Sequence, residues 1–335
     1  MNPVVSVVIP AYNAERYLKG SITSVLSQTW IDLELIVVDD GSTDGSVQKV
    51  LSFTDPRVRL VSQANRGLAG ARNAGIRAAR GEFVAFLDAD DLWLPEKLER
   101  HVALLRAKPG VGVSYSASAF IDDAGADLHL LQKPKLHRVR PRDVFLRNPV
   151  GNGSAPVIRR TTLQDIAFSS PHGETGEWWY FDERFRQSED IECWLRIALT
   201  TGWDFEGLAQ PLTLYRVNAG GLSAALDKQR QSWEAVVTRA RAIAPRFVAR
   251  YEHQARAYQL RYLARRAITS GDASQALRLQ VQALRLFPGM LLEEPARTTL
   301  TLVASLGLAL LPATVWPTTF STARKWVGGL QRLPR

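Results

Sequence analysis

Along the first 120 residues the apolar positions switch between two periods. Val4 to Ile9 is a near-continuous β-branched run closed by Pro10, and Leu33 to Val38 is a second, closed by Asp39-Asp40-Gly41-Ser42. Val58 to Val61, Phe83 to Leu87 and Val111 to Phe120 read as further strands. Between them, Ala14 to Gln28 carries Tyr17, Leu18, Ile22, Val25 and Leu26 at helical spacing. Asp44 to Leu51 fits a short helix, Ala69 to Arg80 an Ala-rich one, and Pro95 opens another that ends near Arg106. Proline suits that position because the first turn of a helix leaves its N–H groups unbonded anyway. Strands apolar on both faces, alternating with amphipathic helices, predict an α/β fold with a mostly parallel sheet covered on both sides. Ligands of such sheets bind beyond the carboxyl ends of the strands. Here those ends carry Asn13, Asp39-Asp40 and Asp88-Ala89-Asp90-Asp91, so three strands deliver polar or acidic groups to one rim.

The pattern loosens over residues 121–188, where Pro134, Pro141, Pro149, Pro156 and Pro171 interrupt it and Gly151-Asn152-Gly153 reads as a loop. Glu189 to Thr200 is again helical, with Gly202 marking its end. Leu212 to Tyr215 is a short strand that enters Arg216-Val217-Asn218-Ala219-Gly220-Gly221. Beyond Ala224 the chain reads as helices, among them Ala255 to Thr269 and Ala273 to Leu286 around Ser270-Gly271-Asp272, a single tetratricopeptide-like hairpin. Thr298 to Phe320 holds no charged residue, but Gly307, Pro312 and Pro317 make it a poor membrane span, and a core or interfacial helix pair is at least as good a reading. The expected division is a catalytic domain over 1–223 and a helical appendage over 224–335.

Composition narrows the class. With 335 residues, 46% apolar and 22% charged, the chain is neither disordered, collagen-like nor a polytopic membrane protein. One cysteine, Cys193, allows no internal disulfide, and Met1 to Val4 opens no signal peptide, so a cytoplasmic, reducing setting is expected. The net charge of +9 is unevenly spread: residues 224–335 hold 17 Lys and Arg against 6 Asp and Glu, whereas the first two thirds are slightly acidic. A basic helical tail suits the anionic inner face of a membrane, and no nucleic-acid-binding motif accompanies it, so peripheral membrane contact is expected and a nucleic-acid partner is not.

Three rim segments can carry chemistry. Asp88-Ala89-Asp90, just past a strand, can bring two carboxylates to one divalent cation, and Mg²⁺ and Mn²⁺ take oxygen ligands of this kind. The bland alternative is a solvated turn that caps the next helix. Asp39 and Asp40 can accept from a base N–H or a ribose hydroxyl, while Asp44 reads as a helix cap. Asn65 to Gly75 is rich in Gly and Ala, which lets backbone approach a ligand, and Arg72 on its first turns can neutralise phosphate. It lacks the Gly-Lys-Ser/Thr ending of a P-loop.

Val5-Ser6-Val7-Val8-Ile9-Pro10-Ala11-Tyr12-Asn13, Val37-Val38-Asp39-Asp40-Gly41-Ser42-Thr43-Asp44, Asn65 to Gly75 and Phe86-Leu87-Asp88-Ala89-Asp90-Asp91, in this order and spacing, resemble the family 2 glycosyltransferases of GT-A fold. The resemblance continues more loosely through Phe181-Asp182-Glu183 and Ser188-Glu189-Asp190 to Leu214-Tyr215-Arg216 and leaves the basic tail outside. It implies that Pro10, Tyr12, Asn13, Asp39, Asp40 and Arg72 border the nucleotide of a nucleoside-diphosphate sugar, a UDP-sugar favoured. It implies that Asp88 lies near ribose and metal, that Asp90 is the main ligand of Mg²⁺ or Mn²⁺, and that Asp190 is the general base. The chemistry is coherent: a departing nucleoside diphosphate needs its charge stabilised, and an incoming hydroxyl needs a base within reach. One base with no second nucleophile suits direct inverting displacement onto a glycan or lipid-linked acceptor. Glu189, Trp179, Arg216 and Asn218 are candidates for acceptor contact or a lid; Asn218 stands where many relatives carry a metal-binding His. Transfer to a polyprenyl phosphate and non-catalytic sugar-nucleotide binding are the competing readings.

Overall fold

The computed structural model describes residues 3–170, 176–217 and 226–310. The chain divides into two compact units, Met1–Pro141 with Pro149–Asn218, and Arg142–Asn148 with Ala219–Arg335.

The first unit opens with the predicted alternation: β1 (Val5–Ala11), α1 (Glu15–Leu26), β2 (Leu33–Asp39), α2 (Ser46–Leu51), β3 (Val58–Ser62), α3 (Gly67–Ala78) and β4 (Phe83–Phe86). These strands lie in the order β3-β2-β1-β4 and pair in parallel throughout. β1 and β2 are buried along their whole length, which is why both read as near-continuous apolar runs, interrupted only by Ser6 and Glu34, whose side chains bond each other at 2.7 Å. The chain moves outward from β1 to β3 and then returns to the other side of β1, so the strand order reverses between β1 and β4. A crevice forms at such a reversal. α3 sits directly on β1: a Cβ on Gly75 would lie 2.2 Å from Val8 Cγ1, so only glycine fits.

After β4 the sheet becomes mixed. β5 (Leu92–Trp93), α4 (Lys97–Ala107), β6 (Val111–Ile121), β7 (Asp127–Gln132), α5 (Pro141–Arg147), β8 (Val157–Arg159), α6 (Arg160–Asp165), β9 (Phe168–Ser169), β10 (Trp178–Trp179), α7 (Glu189–Thr200) and β11 (Asp204–Arg216) follow. The main sheet runs β3-β2-β1-β4-β8-β6-β11-β5, with β7 beside β6. β8 is antiparallel to both its neighbours, and β5 is antiparallel to β11. The three residues of β8 follow a Pro-rich stretch and are too few to show a period, yet Val157 and Ile158 are fully buried. β11 is far longer than the short strand expected over Leu212 to Tyr215; its register slips around Pro211, which masks the alternation in sequence.

The second unit is helical: α8 (Leu226–Ile243), α9 (Pro245–Thr269), α10 (Ala273–Leu286), α11 (Met290–Glu293) and α12 (Pro295–Leu310), joined by residues 142–148, which include most of α5. α9 and α10 form the expected hairpin. Gly271 supplies the positive φ of the turn (79°), and the Asp272 carboxylate caps α10 by accepting from Gln275 N–H at 2.9 Å. Ala257, Tyr258, Ala283 and Met290 form one of its small cores. The apolar stretch anticipated over 298–320 is helical as far as Leu310, and residues 311–320 lie outside the described residues. Among the described residues no helix is long and apolar enough to cross a membrane.

Candidate active site

The acidic rim begins just past β4. Asp88 to Asp91 closes a turn in which Asp91 N–H donates to the Asp88 carbonyl at 3.0 Å. Ser154 lies beneath it: its Oγ accepts from Asp88 N–H at 2.9 Å and donates to Asp91 Oδ2 at 2.6 Å. Asp91 Oδ1 accepts from Arg216 N–H at 2.8 Å. Asp91 is fully buried, and burial first, then the charges of Asp90 and Asp88, hold its carboxyl well above the usual range. It anchors the turn from below, while Asp88 and Asp90 are half-buried at the rim.

Arg72 ties this turn to α7. From α3 its Nη2 donates to Asp88 Oδ1 at 2.7 Å and its Nη1 to Glu189 Oε1 at 2.6 Å, with the guanidinium 5.5 Å from the Phe181 ring centre. Burial opposes its charge, but Asp88, Glu189 and Asp190 together raise its pKa above the ordinary value. A Cβ on Gly153 would sit 2.2 Å from Arg72 Nη2, so the 151–154 loop must be bare there. This corrects the expectation for two residues. Arg72, 1% exposed, has its guanidinium committed to protein carboxylates beneath the rim, and Glu189, 5% exposed, is the far end of that bridge, not a surface acceptor contact. Asp190, the next residue on α7, is half-buried and accepts from Ile191 N–H at 2.7 Å. Burial and then the Glu189 charge push its carboxyl up to about 7, against the pull of Arg72.

The other side of the crevice is built by β1 and β2. Pro10 is buried within β1, and Tyr12 beyond it is exposed. Asn13 takes a positive φ of 48°; its Oδ1 accepts from Thr43 N–H at 2.8 Å and its N–H donates to Ser42 Oγ at 3.0 Å. Asn13 therefore clasps the β1 loop to the β2 loop. Asp39 Oδ1 accepts from Ser42 N–H at 3.1 Å. Asp40 is engaged elsewhere. It accepts from Gln63 Nε2 at 2.6 Å and from Arg66 and Gly67 N–H at 2.8 Å each, closing the start of α3. Both its oxygens are engaged within the fold, whereas Asp39 accepts from a loop N–H. Asp44 caps as anticipated, accepting from Glu15 and Ser46 N–H.

Of the acceptor and lid candidates, Trp179 is fully buried with the Phe168 ring edge-on against it, so it braces the core and only Trp178 is exposed. Arg216 is also internal. Its Nε donates to the Asp90 carbonyl at 2.7 Å, its Nη1 to the Asp122 and Asp123 carbonyls, and it lies over the Tyr17 ring. It fastens the end of β11 to the acidic turn and is not a mobile lid residue. Asn218 lies outside the described residues.

Two residues without an expected role hold the segment 177–183 that leads to α7. Arg66 pairs with Glu177 and Glu183. Asn73 accepts from Tyr180 and Phe181 N–H and donates to the Phe181 carbonyl and to Glu183. Their spacing of seven, two helical turns, was the available signal that both serve one face.

Among the described residues no three His, Cys, Asp or Glu side chains gather as a cation cage. Two half-buried carboxylates do suit Mg²⁺ or Mn²⁺, which commonly take one or two carboxylates and complete their shell with phosphate and water.

The sequence profile described as Glycosyl transferase family 2 matches residues 6–167. The chain is 34% identical to the Escherichia coli UDP-Glc:alpha-D-GlcNAc-diphosphoundecaprenol beta-1,3-glucosyltransferase WfgD, over 57% of this chain and 74% of that protein. It is 30% identical to the Bacillus subtilis putative teichuronic acid biosynthesis glycosyltransferase TuaG, over 66% of this chain and 82% of that protein. With some other curated relatives the match spans less than half of their length. The mannosyltransferase PcManGT from Pyrobaculum calidifontis, solved in complex with GDP-Man and Mn²⁺, superposes with a TM-score of 0.57 at 23% identity, covering 92% of this chain and 87% of that one, and shares its GT-A fold. On motifs, fold and relatives together, the chain belongs to glycosyltransferase family 2.

Proposed function

We propose that this glycosyltransferase moves a sugar from a nucleoside-diphosphate sugar, a UDP-sugar by preference, to a hydroxyl of a glycan or lipid-diphosphate-linked acceptor, with inversion and with Asp190 as the base. The observation that carries the reading is the Asp88–Arg72–Glu189 bridge, which sets the acidic turn and the base helix side by side with Asp190 pushed up to about 7. A base is most useful when its pKa lies near the working pH. The name of WfgD, a relative acting on a diphosphoundecaprenol-linked sugar, supports the acceptor class.

In this mechanism Tyr12, Asn13 and Asp39 border the nucleotide at the ends of β1 and β2. Asp88 and Asp90 would hold Mg²⁺ or Mn²⁺, which supplies charge stabilisation for the diphosphate when bound. Arg72 fixes the Asp88 carboxylate and, through Glu189, the first turn of α7. Asp190 takes the proton of the acceptor hydroxyl as that oxygen attacks the sugar C1 and the diphosphate leaves. A phosphate acceptor is already ionised at neutral pH and needs no base, so a carboxyl tuned to about 7 favours a hydroxyl acceptor over a polyprenyl phosphate.

The test is a UDP-sugar screen with Mn²⁺ or Mg²⁺ scored by release of UDP in the presence of acceptor. Asp190→Asn should lower transfer by about 10²–10⁴-fold, the usual scale for removing a general base, while donor affinity stays within a few-fold. Asp90→Asn should lose metal-dependent donor binding. Undiminished transfer by Asp190→Asn refutes the base; transfer to a polyprenyl phosphate by that variant establishes the alternative acceptor.

A further inference from the structure

α12 faces the wrong way for a helix in water. Its inward positions are hydroxyl residues: Thr298, Thr301 and Ser305 are buried at the spacing of one helix face, where α12 lies against α9 and α10. Their hydroxyls are satisfied locally. Thr301 and Ser305 Oγ donate to the carbonyls four residues back at 2.8 Å each, and Thr298 Oγ1 accepts from Arg261 Nη1 at 2.7 Å and donates to the Met290 carbonyl at 3.0 Å. The outward positions are apolar: Leu300, Val303, Leu306 and Leu310 are exposed by 44%, 58%, 38% and 78%. From Thr298 to Leu310 the helix carries no charge. A solvated helix shows the opposite arrangement, with polar residues out and apolar residues in. Scattered exposed leucines are ordinary, but four along one uncharged face form a patch of the sort that marks an interaction site.

The charge beside this face says what it meets. At the N-terminal end of α12 three arginines converge on one carboxylate: Arg147 and Arg261 both pair with Glu294, and Arg297 stands 3.8 Å from it. Glu293 is taken by Arg142, Gln254 and Tyr258. Arg147 and Arg261 flank the Tyr258 ring at 5.0 and 4.9 Å, and Arg265 is exposed on the neighbouring α9. Arg261 lies buried beneath α12, but Arg297 and Arg265 are exposed and keep accessible positive charge at this end of the apolar strip; the surface complementary to both is a bilayer with anionic headgroups. Among the described residues α12 is not long enough to span the hydrocarbon core, and its one-sided apolar strip suits the plane of the interface.

We propose that the outward face of α12, with the arginines at its N-terminal end, is a docking surface for an anionic phospholipid bilayer. This goes beyond the transfer reaction and does not rest on it. The test is flotation of the full chain with phosphatidylcholine vesicles and with vesicles containing about 30% phosphatidylglycerol, a charge density at which basic segments bind. Wild type should float with the anionic vesicles, leave the neutral ones largely unbound, and come off as salt rises. Leu300→Asp combined with Leu306→Asp should cut partitioning at least about tenfold, the cost of keeping two leucines out of the apolar layer. Far-UV circular dichroism should be unchanged because both sites are on the surface. Arg297→Glu, which leaves the apolar face intact, should weaken binding several-fold and flatten its salt dependence. Wild type that stays with neither vesicle overturns the proposal, whether the face is covered by a second copy or by residues 311–335. So does a folded leucine double variant that binds as wild type does. A double variant that turns a sedimenting dimer into a monomer while vesicle binding is unchanged reassigns the face to self-association.

Discussion

Two arginine sites, one in each unit, solve opposite problems. In the catalytic unit a single guanidinium, Arg72, serves two carboxylates, Asp88 and Glu189, with the charge of Asp190 also acting on it. In the helical unit three guanidiniums, Arg147, Arg261 and Arg297, crowd one carboxylate, Glu294. The titration directions mirror this. Arg72 is raised despite burial, whereas Arg147 and Arg261 are lowered to about 10 and about 9, by burial first and then by neighbouring arginines. Removing one member of a buried ion pair strands the other, whereas a group with spare partners strands nothing. The acidic turn has one guanidinium for two carboxylates and the α12 cluster three guanidiniums for one.

The sharpest way to break this contrast is to remove the shared arginine. Arg72→Met keeps volume but leaves Glu189 buried without its partner. It should destabilise the protein by about 3–5 kcal/mol, the scale for breaking a buried pair by removing one member. Because Asp88 and α7 lose their link, donor-dependent UDP release should fall with it. Thermal or urea unfolding of the two proteins checks the first expectation. A loss below about 1 kcal/mol, the scale of an exposed ion pair, would show that the bridge is ornamental.

That bridge also marks the limit of what the sequence discloses. The parallel half of the sheet was legible because β1, β2 and β4 are buried on both faces and so read as near-continuous apolar runs. The rim was legible because Asp39, Asp88 and Asp90 follow those runs directly. β8 was not, since three residues after a proline, two of them buried, carry no period, and the register slips in β11 hid most of its length. Among site residues, sequence could place Asp40 beside Asp39 and Glu189 beside Asp190, but not divide their labour. A carboxylate that closes α3 and one that faces a ligand look alike until the N–H groups of Arg66 and Gly67 are seen to converge on one of them. Arg216 was misjudged for a related reason: a polar residue near a site is drawn inward when enough partners are waiting there, here the Asp90, Asp122 and Asp123 carbonyls.

A second, smaller effect sharpens the negative side of the comparison through pH. A base works only when deprotonated, so donor-saturated transfer should rise with pH through about 7 and level off above it. The same group acts on stability with the opposite sense. Its folded pKa is raised above the unfolded value of 3.8, so its contribution to stability is fully present below that value and is lost as pH rises through about 7. Asp190→Asn cannot ionise. It should therefore be more stable than wild type at pH 8 by about 1–3 kcal/mol, and near parity at about pH 4, from the scale of one pKa unit to the kilocalorie. Melting temperatures of both proteins across that range are the measurement. An advantage that grows toward acid would place the carboxyl in a stabilising, not a strained, setting.

The smallest expected effect is on the positive side, and it is the most direct check of the asymmetry. Arg261 is almost as buried as Arg72 and pairs with a carboxylate just as Arg72 does, so burial and contact alone would assign the two the same weight. Charge balance assigns them different ones. When Arg261 is replaced by Met, Glu294 keeps Arg147 and Arg297, no carboxylate is stranded, and the repulsion on Arg147 from the cluster is relieved in part. What is lost is one of the three guanidinium contacts of Glu294 and the bond to Thr298 Oγ1, whose hydroxyl still donates to the Met290 carbonyl. Arg261→Met should thus change unfolding free energy by less than about 1 kcal/mol, the net value of one hydrogen bond, against the several expected at Arg72. Binding to anionic vesicles should stay within a few-fold of wild type, because Arg261 is buried and the exposed Arg297 is untouched. Equal destabilisation by the two substitutions would mean that burial, not surplus charge, governs both sites.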